Sequence, residues 1–478
     1  MQVTVLRVAM LLFCVTFALA GEPLTLEDAV ARAMRDNLEL ASQRHENFIA
    51  DLDLQEARAS FDPRVTASAR TGGSRTPTNN LNDGGDVVTS SSGSWSTGLS
   101  TSLPTGGSAS VNLSETTSSS DSANAAAAQF TTDNLSVNAS QPLLRGAFFG
   151  DLSSLRDAHL RVVEQDLQWR DQVEQLTLDV GDAYWGLVSA RQGRELADRA
   201  VELAERQLAE TEERQSAGFA GSGDVLQVQI TVGQARREQV NAITRLEGAE
   251  ASLARILGIP QREGADLDPV DSPLVSDQKP ERDALLDSAL AHNAGFLLAG
   301  LQHERSVRSA KRARNAALPD LSVDGNAGWS AGDETAGTAR ANLTGAPSPS
   351  WGLGVSVSLP LLMRDTQAQY GVAKLRQDQA ELSLKAAEQD LILEVDGAMR
   401  KVVSDRANLE VAKQTLEHAT LSLEAQRELL SEGRGSTRDV VDALESLRAA
   451  EATKLEAEIS CQGSLMRAFQ VSGTLLDL

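Results

Sequence analysis

A pair of apolar heptad runs, joined by a glycine-containing turn, is written twice in this chain. Val395, Val402, Leu409, Leu416, Leu423 and Leu430 fall seven residues apart, and Ala398, Ala412 and Ala419 make a second row interrupted by Asp405. Apolar residues at that period wind a helix onto partner helices, and alanine lets the two backbones approach closely. The pattern recurs 215 residues earlier as Val180, Leu187, Val201 and Leu208, with Ala183, Ala197 and Ala204. In the same register Gly218 maps onto Gly433, Asp224 onto Asp439, Val225 onto Val440 and Gly258 onto Gly473. One offset held over 79 residues identifies an internal duplication, so one architecture is built twice.

The segment before each hairpin is duplicated as well. Residues 24 to 61 predict a helix capped by Thr25, with Asp28 three residues on and Ala29, Val30, Ala33 and Met34 on its apolar face. Its counterpart is 281 to 317, with Ala33, Asn37, Ala57 and Pro63 matching Ala289, Asn293, Ala313 and Pro319. In both copies proline ends the helix and an extended run follows.

From 64 to 145 charge falls away and Ser, Thr, Gly and Asn dominate. Such composition also fits a disordered linker. Against that, Leu135, Val137 and Ala139 alternate with Ser136, Asn138 and Ser140, a strand period. Val65 to Ala69, Trp95 to Leu103 and Ser108 to Leu113 read as further short strands, with a hairpin at Pro104-Thr105-Gly106-Gly107. The second copy is clearer: Leu321 to Trp329 and Trp351 to Leu359 flank a polar loop, and Leu353, Val355, Val357 and Leu359 share one face. Gly352, Gly354, Ser356 and Ser358 occupy the other face. Apolar outside and small or polar inside is the pattern of a membrane β-barrel strand, and about nine residues cross a bilayer when tilted. Whether 93–115 joins such a barrel or lies outside the cell is open at this stage.

Matched corners follow, Gln141-Pro142-Leu143-Leu144-Arg145 and Leu359-Pro360-Leu361-Leu362-Met363-Arg364. Phe148 and Phe149 after the first read as interfacial aromatics or as ordinary packing at the corner. Long helices are predicted over 151–216 and 366–431, roughly 100 Å each at the α-helical rise, returning as shorter helices over 224–257 and 439–470. The whole therefore divides into a first repeat over 21–258, with strands within 64–142 and a long hairpin over 151–257, and a Pro-rich acidic linker over 259–280. The second repeat covers 281–478, with strands at 321–330 and 351–362 and a hairpin over 366–470. Residues 1–20 read as a signal peptide: Arg7, an apolar core from Val8 to Ala18, and Ala18-Leu19-Ala20 as the cleavage site.

Several functions are excluded. A net charge of −23 disfavours nucleic acid and anionic lipid surfaces. The five histidines are scattered, with no HExxH and no Cys/His cluster, and no glycine precedes a lysine, so neither metal nor phosphate chemistry is indicated and no cofactor is expected. Cys14 sits inside the signal core, which leaves Cys461 alone at a heptad position, a buried small hydrophobe without a disulfide.

At the hairpin tips Gly218 and Gly433 supply the backbone freedom that ends the outgoing helix, and Asp224 and Asp439 cap the returning one. The second tip carries Asp439-Val440-Val441-Asp442, two carboxylates three apart on one helical face, where the first has Gln227 at the later position.

Duplicated halves, Pro-Leu-Leu corners and Gly-x5-Asp-Val tips together resemble the TolC family of outer-membrane efflux and secretion channels. The resemblance implies a mainly α fold with membrane β: a homotrimer whose strands form one barrel in outer-membrane lipid and whose antiparallel coiled coils form a periplasmic α-helical tunnel. It implies no enzymatic activity, and a periplasmic adaptor and an inner-membrane transporter as partners. Asp439 and Asp442 resemble the family's paired aspartates at the tunnel mouth, a gate role that stands beside the capping role. Gly218, Asp224, Val225, Gly433, Val440 and Val441 would form the tip turns and the adaptor-docking surface. Trp95, Trp329 and Trp351 are the candidates for interfacial belts. No lipidation cysteine follows the signal, which places the chain in the unlipidated branch. A secreted coiled-coil stalk, structural or adhesive, is the competing reading; it accounts for the heptads but not for the strand pairs.

Overall fold

The computed structural model describes residues 22–77, 87–123, 125–147, 150–260, 267–271, 281–359 and 361–477. The signal-peptide expectation therefore lies outside the described residues, as do Phe148, Phe149 and most of the expected linker. The described chain forms two compact units.

The first unit contains residues 22–42, 171–260, 267–271, 281–293 and 391–477 among those described. Its principal elements are parts of the long helices α3 (Gly150–Ser216) and α8 (Arg364–Ser431), with the returning helices α4 (Ser222–Ile256) and α9 (Thr437–Val471). The heptad rows meet as the pattern requires. Leu409 and Ala412 of α8 pack on Ala457 and Cys461 of α9, and Leu423 and Leu430 pack on Val440 and Ala443. In the first hairpin Ala204 packs on Val232 and Ala235, with Val201 and Leu208 beside them. Each fully buried aliphatic side chain contributes about 1.5–3 kcal/mol. Cys461 is fully buried and free, and burial pushes its thiol pKa up. Asp405, which breaks the alanine row, is buried and pairs with Lys401 one turn back at 2.7 Å.

The helix expected over 24–61 is two helices, α1 (Leu26–Asp36) and α2 (Leu38–Ala59), broken at Asn37. Thr25 caps α1, its Oγ1 accepting from Asp28 N at 3.1 Å. Asn37 adopts extended backbone because its side chain bonds on both sides. Its Oδ1 accepts from the amides of Glu39 and Leu40, and its Nδ2 donates to the Ile256 carbonyl at 3.0 Å, at the end of α4. The second copy repeats the device: α5 (Arg282–His292) and α6 (Ala294–Ala316) break at Asn293, whose Nδ2 donates to the Val471 carbonyl at 3.1 Å. In each half the returning helix ends in a left-handed glycine, Gly258 (φ 70°) and Gly473 (φ 67°), set against this break. A Cβ on Gly258 would collide with the Asp36 carbonyl oxygen, and one on Gly473 would lie 2.7 Å from that of His292.

Inside the stretch expected as a linker, β6 (Leu267–Pro269) pairs in parallel with β1 (Glu22–Leu24). Tyr184 clamps the pair: its hydroxyl donates toward the Leu24 carbonyl (2.9 Å) and Asp271 Oδ2 (3.0 Å), and accepts from Asp271 N. Burial is the main cause that pushes its phenol pKa up to about 12, so the neutral form is the one the fold holds.

The second unit, residues 43–170 and 294–390, contains one antiparallel sheet. Its strands are β2 (Arg64–Pro77), β3 (Val87–Ser102), β4 (Ser108–Ser120), β5 (Gln129–Pro142), β7 (Asp320–Asp333) and β8 (Ser348–Ser358), hydrogen-bonded in that order. All are longer than their alternating cores in the sequence. The β3–β4 turn is closed by Gly106, at φ 83°, whose amide bonds the Leu103 carbonyl at 2.8 Å. The polar loop between β7 and β8 contains an unexpected helix, α7 (Ala336–Gly345), capped by Thr335. At the first corner Arg145 pairs with Asp320 at 2.5 Å and Gly146 N donates to Asn315 Oδ1 at 2.9 Å.

Candidate functional site

The tips are built as the glycine and aspartate spacing dictates. Gly218 (φ 79°) and Gly433 (φ 74°) end the outgoing helices in the left-handed region, with open space around them. Phe219 N then bonds the Arg214 carbonyl at 2.8 Å and Arg434 N the Leu429 carbonyl at 2.9 Å. Asp224 Oδ2 accepts from Gly221 N at 2.8 Å. Asp439 forms the full capping box: its carboxylate accepts from Ser436 N (3.2 Å) and Ser436 Oγ (2.7 Å), while its own amide donates to Ser436 Oγ (3.2 Å). Asp439 and Asp442 are both exposed, whereas Val440 and Val441 between them are buried and anchor the helix start. Val225 is buried likewise.

Sequence reasoning missed Arg214. Its guanidinium donates to the Leu430 carbonyl at 3.1 Å, tying the end of α3 to the end of α8 so that the two tips stand side by side. Arg214 lies in a run of charged helix-surface residues, and no local pattern sets it apart from them.

The sheet of the second unit is a separate candidate site. Residues directly opposite in an antiparallel pair share a face, so the register assigns faces without further assumption. Leu353, Val355 and Val357 of β8 lie opposite Gly325, Val323 and Leu321 of β7, all on one face. Trp95, Trp329 and Trp351 belong to that same face, and Trp351 is 82% exposed. The opposite face carries mainly Ser, Thr, Asn and Gly. At one end of the apolar face the row turns acidic, with Glu115 opposite both Trp95 and Asp133. There Arg340 of α7 pairs with Glu115 and stacks its guanidinium 5.7 Å from the Trp95 ring centroid. Trp95 thus lies where the apolar row of this face gives way to the acidic one.

The strands β2 and β8 form the two edges, and neither pairs with the other. Every residue of β2 is exposed, and all but one of β8. No single described helix is long and apolar enough to cross a membrane, and no cluster of three or more metal-ligating side chains occurs among the described residues.

These features have known counterparts. The sequence matches the family model described as outer membrane efflux protein over residues 106–259 and 285–474. Outer membrane protein TolC of Escherichia coli strain K12 is 25% identical over 293 residues, 59% of this chain and 58% of that protein, so the match spans little more than half of the relative. A membrane protein from Pseudomonas aeruginosa shares the fold with a TM-score of 0.71 at 19% identity, covering 94% of this chain and 90% of the other. The CmeC outer membrane channel of Campylobacter jejuni does so with a TM-score of 0.70 at 15% identity, covering 94% and 85%. The family match takes in both written copies of the hairpin, and on that ground the chain belongs to the outer membrane efflux protein family.

Proposed function

We propose that three copies of this chain form a passive exit duct, a closed barrel in the outer membrane continued by a helical tunnel in the periplasm. The observation that carries this reading is the open sheet with one apolar face and two bare edges. In lipid each unpaired backbone group costs several kcal/mol, so a spanning sheet must close on itself or on other copies. The edge strands β2 and β8 run antiparallel, and β8 of one copy meets β2 of the next in a head-to-tail ring. A secreted stalk gives the apolar face no role.

The tips are the gate in this reading. A threefold axis gathers Asp439 and Asp442 of three copies into one narrow ring, which attracts cations and opposes anions. The turns at Gly218 to Val225 and Gly433 to Val441 take a periplasmic adaptor, and an inner-membrane transporter supplies the energy. Neither a tripartite efflux pump nor type I secretion is favoured by any residue of the duct itself, because a polar bore serves both.

The test is fractionation. The mature chain is expected in the outer-membrane fraction, running as a trimer on an unheated SDS gel and as a monomer after boiling. A water-soluble monomer in the periplasm or medium contradicts the proposal.

A further inference from the structure

The β3–β4 hairpin has the same two faces as the rest of the sheet. One row of directly opposed residues crosses all six strands as Val65, Leu99, Val111, Val137, Ala327 and Trp351. All of these except Ala327 are exposed large hydrophobics. The neighbouring row on the other face reads Thr66, Gly98, Asn112, Ser136, Gly328 and Ser350. A hairpin standing in water outside the membrane has no need of Leu99 and Val111 in register with Trp351. Nor does the sheet close up without it: β5 takes β4 and β7 as neighbours, and β2 is held only by β3.

We infer that β3 and β4 cross the outer membrane with the other four strands, so that the trimer closes a wall of eighteen strands, six from each copy. This rests on the trimeric membrane reading above. At a strand spacing of about 4.8 Å and a tilt of about 40°, such a wall is about 36 Å across, backbone to backbone. With four strands from each copy it would be about 24 Å by the same geometry. The bore is lined mainly by hydroxyl and amide groups and glycine, with Arg64 and Arg70 balanced by Asp320 and Asp324, so the sheet admits bulky hydrated cargo with little net preference for charge, and discrimination falls to the tips.

Spin labels at single cysteines test this in liposomes, in a Cys461→Ala background. Leu99→Cys and Val111→Cys report the apolar face of the hairpin, and Ser100→Cys and Asn112→Cys its polar face. Val355→Cys and Ser356→Cys report the two faces of β8. Collisions with oxygen and with a water-soluble nickel chelate are measured at each site. Labels at 99 and 111 are expected to match 355 in favouring oxygen, and those at 100 and 112 to match 356 in favouring the chelate. If 99 and 111 favour the chelate while 355 favours oxygen, the hairpin lies outside the wall and the inference is overturned with the trimer reading intact. If 355 itself favours the chelate, the membrane reading fails and the inference with it.

Discussion

Replacing Asp439 and Asp442 together with asparagine is expected to weaken divalent-cation block of the channel by about tenfold or more, read as current through single trimers in planar bilayers. Six carboxylates around a narrow axis hold a divalent ion by direct attraction, and about 1.4 kcal/mol of lost attraction is already tenfold. Asparagine is chosen because Asp439 has a second task. Its carboxylate accepts from Ser436 N and Ser436 Oγ, and an alanine there would lose a helix cap worth about 1 kcal/mol. Asparagine keeps an acceptor in the same place and removes only the charge. Block unchanged by the double replacement would reduce Asp439 to a cap and leave Asp442 without a role at the mouth. Block lost in Asp439→Ala but retained in the asparagine pair would point to the fold of the tip instead of its charge.

Gly258→Ala and Gly473→Ala are each expected to cost about 2–4 kcal/mol, several times the cost of an ordinary surface change. Two terms add. A left-handed backbone disfavours any Cβ by roughly 1–2 kcal/mol, and here that Cβ also meets the carbonyl of Asp36 or His292. Gly218 and Gly433 supply the control, since they have the same sign of φ (79° and 74°) and nothing near them. Alanine at these tips should cost only the backbone term. Denaturant unfolding followed by helical circular dichroism measures all four. Equal losses at the tips and at the helix ends would show that Gly258 and Gly473 serve only as helix terminators, not as seats for the broken N-terminal helices.

The duplicated hairpins were legible because their signal is long and redundant. Val402, Leu409 and Leu423 are buried at the heptad positions where they were expected, and Cys461 lies among Leu409, Ala412 and Ala457 as a small hydrophobe. The breaks at Asn37 and Asn293 were not legible, although both asparagines had been matched across the copies. Their cause is a bond to a carbonyl more than 170 residues away, and helical periodicity on either side of a break reads the same as a continuous helix. The β1–β6 pair escaped for a similar reason. Three-residue strands have no period, and what holds them is Tyr184 on a distant helix. Strands β2 to β5 showed only part of their length, because the Ser, Thr and Gly that fill much of the remainder carry little contrast between faces. α7 was hidden in a polar loop, its recognisable mark being the threonine cap at Thr335. At the site itself the tip glycines and aspartates followed from spacing alone, whereas Arg214 acts through a carbonyl that only the fold brings near.

The direct test of the whole account is the structure of the mature protein reconstituted in lipid nanodiscs, determined by electron cryomicroscopy. The result it requires is three copies around one axis, with the outer edge of β8 hydrogen-bonded to β2 of the next copy. A single copy, or an assembly in which those two edges stay bare in the bilayer, would contradict it.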